Sequence, residues 1–311
     1  MTKRAFLSCF AAFASASIAL AVHAAPTYTS VLIKDVPHVK QNPDFCGEAC
    51  VEMALGHLGW QVDQDEVFNI SGLDPAHGRG CHTRELTTAL KRIGFETGPV
   101  YYTVPSKRSE APLNLLFERM HADLKKGIPS IICMRYDARP KTTEHFRLIL
   151  GYDARTDEVI FHEPAVEKGA YKRMKRNMLI RLWPLKYDAR KWTVIRMALK
   201  PKKLNEIAAA RGRYTPADYA QHVMELKKKL PGKGFSIVVK PPFVVVGDEA
   251  PAMVKRRAEK TVKWAVDKLK KKYFKKDPTA IIDIWLFKNK KSYETNTFKL
   301  FHERPSTPYG Y

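Results

Sequence analysis

Gln41-Asn42-Pro43-Asp44-Phe45-Cys46-Gly47-Glu48-Ala49-Cys50-Val51-Glu52 is the stretch on which the reading of this chain turns. It sets a cysteine at the start of a helix, five residues after a glutamine. Ala49, Val51, Met53, Ala54, Leu55 and Leu58 supply much of the apolar face of a helix over 47–58, and Gly59 closes it. A thiol there meets free backbone N–H groups and the positive end of the helix dipole, both of which favour the thiolate. Gly47 lets the backbone come close to a bound substrate. His145 lies 99 residues beyond Cys46 and opens the apolar run Phe146–Leu150; Glu163-Pro164 ends the next run, Val159–His162. Adjacent hairpin strands bring such side chains together. Cys46, His145, Glu163 and Gln41 are therefore the candidate catalytic residues. They supply a nucleophile, a base, an acid to orient that base, and a side-chain amide for a developing oxyanion.

Outward from this stretch, helices are expected at 63–70 and 83–93, the second capped by Thr83 and stopped by Gly94. A strand at 99–104 and a helix at 113–126 follow. Short apolar or β-branched runs at 130–135, 145–152, 158–162, 179–182 and 192–199 read as strands. Helices followed by a meander of strands predict an α+β domain over 25–200. Its helical half carries Cys46 and its antiparallel sheet half carries His145, face to face across a cleft. A Lys-rich helical linker spans 201–233, with a helix at 216–230. A small basic α/β domain fills 234–311. There Val254, Ala258, Val262, Ala265, Val266, Leu269 and Tyr273 form one helical stripe, with a strand at 281–287 and a helix at 292–301.

The first 24 residues read as a secretory signal peptide: Lys3-Arg4, an apolar stretch to Val22, and a cleavage site at Val22-His23-Ala24. Export to the periplasm or the medium follows, with no transmembrane segment once the signal is removed. Of five cysteines, Cys9 leaves with the signal, and Cys46, Cys50, Cys81 and Cys133 remain. With Cys46 kept reduced, Cys50 with Cys81 is the expected disulfide, and Cys133 reads as a buried thiol. Cys46, Cys50, Cys81 and His82 are zinc-type ligands, but their spacing matches no familiar paired knuckle, so neither metal nor cofactor is expected. The net charge of +22 is uneven: residues 201–311 carry 25 Lys or Arg against 11 Asp or Glu. An anionic envelope surface is a candidate partner for this basic domain. Specific nucleic-acid binding is not expected, because no aromatic-rich motif is interleaved with the lysines.

Over about 36–165 the chain resembles the bacteriocin-processing, double-glycine peptidases of the papain-like cysteine peptidases. Gln41, Cys46-Gly47-Glu48-Ala49-Cys50, Leu86, Ala89-Leu90, Gly94-Phe95, Lys126-Gly127-Ile128-Pro129, His145-Phe146, Gly151-Tyr152-Asp153 and Glu163-Pro164-Ala165 carry the likeness. It implies a papain-like fold with Cys46 as nucleophile, His145 as general base, Gln41 as oxyanion donor and Glu163 as the His-orienting acid. The family usually has Asp where this chain has Glu163, which makes Asp153 a second candidate. Phe243–Glu249, Asp283–Phe287 and Pro308–Tyr311 look like the α/β segment preceding the zinc helix of some bacterial metallopeptidase-like proteins. No His-Glu-x-x-His is present.

The expected function is an exported thiol hydrolase, cutting a peptide or amide bond of a peptide or protein substrate through an acyl-enzyme on Cys46. Two alternatives stand beside it. One is a transglutaminase-like acyltransferase. The other is a catalytically degenerate peptide binder, docked to an anionic envelope surface by its basic domain.

Overall fold

A computed structural model describes residues 28–208, 212–274 and 276–307. The signal peptide expected at 1–24 and the Pro308–Tyr311 likeness lie outside the described residues. The first part of the chain runs β1 (Val31–Leu32), α1 (Cys46–His57), α2 (Gln64–Asn69), α3 (Thr83–Ile93), β2 (Phe95–Glu96), β3 (Tyr101–Pro105) and α4 (Glu110–Leu124). It continues through β4 (Ser130–Arg135), β5 (Glu144–Asp153), β6 (Glu158–His162), β7 (Lys172–Lys175), α5 (Arg176–Leu182), β8 (Lys191–Ala198) and β9 (Lys200–Pro201). The helices and antiparallel sheet form the α+β architecture expected from the order of elements.

The main sheet is antiparallel throughout, in the order β3-β8-β4-β5-β6-β7, with β1 also paired to β5. β5 sits at its centre because its run of apolar residues is buried along nearly its whole length. Helices α1 and α4 both lie against it. The first turns of α1 and the first residues of β5 therefore meet.

Two local expectations are corrected. Residues 179–182 are not a strand but the end of α5, where Leu179 and Leu182 are buried three residues apart. A run that short does not distinguish period 2 from period 3.6. Thr83 begins α3, but its N-cap is His82 and no side chain caps it. The charged strand β7 (Lys-Arg-Met-Lys) has no apolar alternation to announce it; it closes an edge of the sheet.

The second part comprises α6 (Pro216–Lys229), β10 (Ser236–Lys240), β11 (Phe243–Gly247), α7 (Pro251–Arg257), a π-helical segment (Ala258–Val262), α8 (Lys263–Lys272), β12 (Ile282–Leu286) and α9 (Lys290–Phe301). β10 and β11 form a hairpin around Pro241-Pro242, and β12 runs parallel to β11. Alternation on β11 divides its packing. Val244 and Val246 meet Tyr219, Val223 and Leu226 of α6, while Val245 meets Val254, Ala258 and Val262.

Helix α6 is shared between the two parts. Its Ala217 and Ala220 belong to the main core, and its other face covers the small sheet. A Thr215/Asp218 capping box starts it. Asn69 at the end of α2 accepts from the Ala217 N–H at 2.8 Å, and the Gln221 amide donates to the Pro43 carbonyl at 3.1 Å. The small unit is thus braced against the loop that precedes Cys46. No helix among the described residues is long and apolar enough to cross a membrane.

Phe117 of α4 is fully buried and packs edge-on against Tyr28 and against Tyr152 of β5. Phe117→Ala is expected to lower stability by about 3–5 kcal/mol, read as a fall in the urea midpoint at unchanged slope. A smaller loss would mean that α4 is not a principal support of β5.

Candidate active site

Cys46 is the first residue of α1, after Phe45, which caps the helix with no side-chain hydrogen bond. Phe45 is buried and stacks on Phe68 with ring centroids 5.0 Å apart, which fixes where the helix begins. The backbone N–H groups of Gly47 and Phe146 point at the Cys46 sulfur. Phe146 follows His145, so the thiol lies against the start of β5. A Cβ on Gly47 would come within 2.7 Å of Leu86 and 3.1 Å of Phe146. Gly47 therefore lets α1 press on both α3 and β5. Cys46 and His145 line one open cleft of about 670 Å³, together with Arg84, Tyr101, Thr143 and Tyr187.

Glu163 is built into the structure from several directions. Its Oε1 lies 2.5 Å from His145 Nε2 and accepts the Ala165 N–H at 3.0 Å. Its Oε2 accepts from Arg147 Nε at 2.7 Å. Its own N–H donates to the Gly169 carbonyl, and its carbonyl accepts from His38 Nε2 at 2.9 Å. A Cβ on Gly169 would stand 1.9 Å from that carbonyl oxygen. Burial pushes the Glu163 carboxyl up, but the hydrogen bond and charge of His145 and the charge of Arg147 outweigh it. The group stays ionised below its ordinary range. With Glu163 accepting at Nε2, the hydrogen sits on that nitrogen and leaves Nδ1 as the basic one.

Asp153 is at the far end of β5 from His145 and bonds Arg173 at 3.0 Å and Arg155. It has no part in orienting the histidine. Gln41 is tied by its N–H to the Pro164 carbonyl at 2.9 Å, beside Glu163. Its side-chain Oε1 is buried with no partner among the described residues. Gln41 and Glu163 are not among the residues that line the cleft.

Arg147, His38 and Glu48 complete the site and were not singled out from the sequence. Arg147 is a charged residue inside an apolar strand, two positions from His145 and so on the same face. Its guanidinium donates to the Tyr136 carbonyl at 2.9 Å and lies over the Tyr136 and Phe161 rings. That misplaced charge was the available signal. Glu48 is fully buried beneath Cys46; its Oε1 accepts the Cys81 N–H at 2.7 Å, and its Oε2 has no partner among the described residues. Burial, with the charge of Asp44 adding, pushes this carboxyl up to about 7.

The thiol also departs from expectation. Burial pushes Cys46 up to about 12, with Glu48 and Asp44 adding and the two N–H groups opposing. A half-buried sulfur with two carboxylates nearby is not held as a low-pKa thiolate. The expected Cys50–Cys81 disulfide does not form: all four described cysteines are free thiols. Cys81 is held by Glu48 instead, and burial pushes its thiol up. Cys133 is buried as expected and also borders the cleft. Among the described residues, no group of His, Cys, Asp or Glu side chains is arranged to hold a metal ion.

The model of the Peptidase_C39 like family matches residues 33–189, just over half of the chain. The chain belongs to the Peptidase_C39 like family. Cys46, His145 and Glu163 all lie within the matched residues. The match ends before α6 and the small basic unit. No sequence among curated proteins matches.

Among solved structures, the peptidase domain of Streptococcus ComA, a bifunctional ABC transporter of a quorum-sensing pathway, is 15% identical. It covers 53% of this chain and 97% of that one, at a TM-score of 0.33. A double-glycine-motif protease from an AMS/PCAT transporter, solved with its leader peptide, is also 15% identical. It covers 55% and 99%, at 0.32. Xylellain, a cysteine protease from Xylella fastidiosa, is 11% identical and covers 58% and 88%, at 0.38.

Two predictions follow from the charges. Arg147→Gln leaves Glu163 buried with its cation gone, so the carboxyl titrates higher. Hydrolysis is expected to fall about 10- to 100-fold, with the acid limb of its pH profile moved upward. A fall with an unmoved limb would mean that Arg147 only supports the fold. Glu48 titrates near 4.5 when unfolded and near 7 when folded. Its contribution to stability is therefore full below 4.5 and falls by roughly 3 kcal/mol as pH rises through that window. Glu48→Gln should flatten this slope in urea midpoints measured across it. Glu163, shifted down, acts in the opposite sense and only below 4.5.

Proposed function

We propose that this protein is an exported thiol hydrolase that cleaves a peptide bond through an acyl-enzyme on Cys46. Its basic C-terminal unit would hold it to an anionic envelope surface. The observation that carries the peptidase reading is the 2.5 Å contact of Glu163 with His145 Nε2. It leaves Nδ1 basic on the cleft that Cys46 shares. Because the thiol rests protonated, deprotonation accompanies attack: His145 Nδ1 takes the proton as sulfur adds to the substrate carbonyl carbon. The oxyanion faces the Cys46 N–H, and on substrate binding the Gln41 amide turns from its place off the cleft to join it. Collapse breaks the C–N bond, and the amine leaves with the proton from His145. Water, deprotonated by His145, then adds to the thioester and releases the acid and the free thiol. The apolar leader at 1–24 supports export.

A second reading has its own observation. A thiol raised to about 12 that no substrate brings into reaction would leave a domain that holds peptides without cutting them. Cys46→Ala is expected to abolish cleavage of a quenched-fluorescent peptide library, while Cys50→Ala, one turn deeper, leaves it measurable. No cleavage by the unaltered protein, with peptide binding retained, would establish the binder. Equal loss from both substitutions would remove Cys46 from the chemistry.

A further inference from the structure

The helix that begins at Pro251 outruns the sheet it covers. Val254, Ala258 and Val262 seal one side of β11, but beyond Lys263 the apolar stripe has almost nothing beneath it. Leu269 is 45% exposed, Tyr273 73% and Phe274 59%. On the outward face Trp264 is 62% exposed, and Lys268 and Lys271 stand one and two turns beyond it. Between 255 and 276 the sequence carries eleven Lys or Arg against Glu259 and Asp267. Among the described residues, Asp267 is taken by Lys263 and Glu259 by Lys240. Lys268, Lys271 and Lys272 have no acidic partner there.

A solvated lysine face does not require a tryptophan in its middle. An exposed Trp among unpaired lysines, on a helix whose Leu, Tyr and Phe are also uncovered, has the make-up of a helix lying in a charged interface. We propose that α8 docks on the surface of an anionic phospholipid bilayer. Trp264 sits at headgroup level, and Lys268 and Lys271, on the same face, lie over lipid phosphates. The cations favour lipid over nucleic acid. Nine of the eleven are lysines, which meet headgroups as point charges, and Arg257, one of the two arginines, is paired to Glu249. The inference rests on the docking role proposed for the basic unit and not on the peptidase chemistry.

The test uses the chain from Ala25, which keeps every described residue and lacks the apolar leader. Its co-sedimentation is compared on vesicles of phosphatidylcholine with and without phosphatidylglycerol, at low and high salt. Binding is expected only with the anionic lipid and weakens with salt. Lys268→Glu with Lys271→Glu lowers it by about tenfold or more. Trp264→Ala lowers it while circular dichroism and melting stay unchanged, which separates an anchor from a folding residue. Equal binding to neutral vesicles, or no effect of either variant, would overturn the proposal. Capture by poly-glutamate or duplex DNA without binding to vesicles would overturn the lipid assignment and leave the docking role standing. Binding to no polyanion would remove both, and neither result would touch the hydrolase reading.

Discussion

The buried carboxylate of Glu163 is the group around which the rest of the site is arranged. It is a charge out of water, and such a charge persists only where hydrogen bonds and opposite charge replace its hydration. His145, Arg147 and the Ala165 N–H supply that replacement, while His38 and Gly169 hold the backbone that presents it. Losing one partner of such a pair costs about 3–5 kcal/mol, mainly because the other charge is then left alone. Glu163 therefore ties β5, β6 and the lead-in containing His38 into one unit. The extra methylene of Glu over Asp is accommodated because Arg147 takes the second oxygen and leaves the first for the histidine.

That arrangement has an electrostatic consequence. Arg147 lies 2.7 Å from Glu163 and offsets the charge of that ionised carboxyl. Glu48 and Asp44 act on the other side, raising the thiol that sits above them. The resting form of Cys46 is therefore the protonated thiol.

The basic C-terminal unit is more than an appendage. Helix α6 contributes to both cores, and Gln221 reaches the carbonyl of Pro43 in the loop that delivers Cys46. A surface engaged by α8 would therefore be connected to the loop that precedes Cys46 through one small sheet and one helix. The polar sequence of the connector gives little sign of these contacts, because the roles of Ala217, Ala220 and Gln221 depend on what faces them.

Periodicity alone was enough to draw most of the architecture. The helices at α1, α3 and α6 and the strands at β4, β5 and β6 appear where apolar spacing puts them, because burial of one face dictates residue type along the chain. Residues 179–182 were misread because four residues cannot reveal a period, and β7 was missed because an edge strand facing solvent needs no apolar alternation. The order of Gln41, Cys46, His145 and Glu163 is legible in the sequence, and the structure joins His145 to Glu163 and sets Cys46 and His145 on one cleft. The tertiary structure alone decided that Asp153 lies at the wrong end of β5, that Arg147 clamps the acid, that Cys81 meets Glu48 rather than Cys50, and that burial raises the Cys46 thiol. These are properties of distance and desolvation. A sequence records which groups are present, but burial and charge act between groups that only folding brings together.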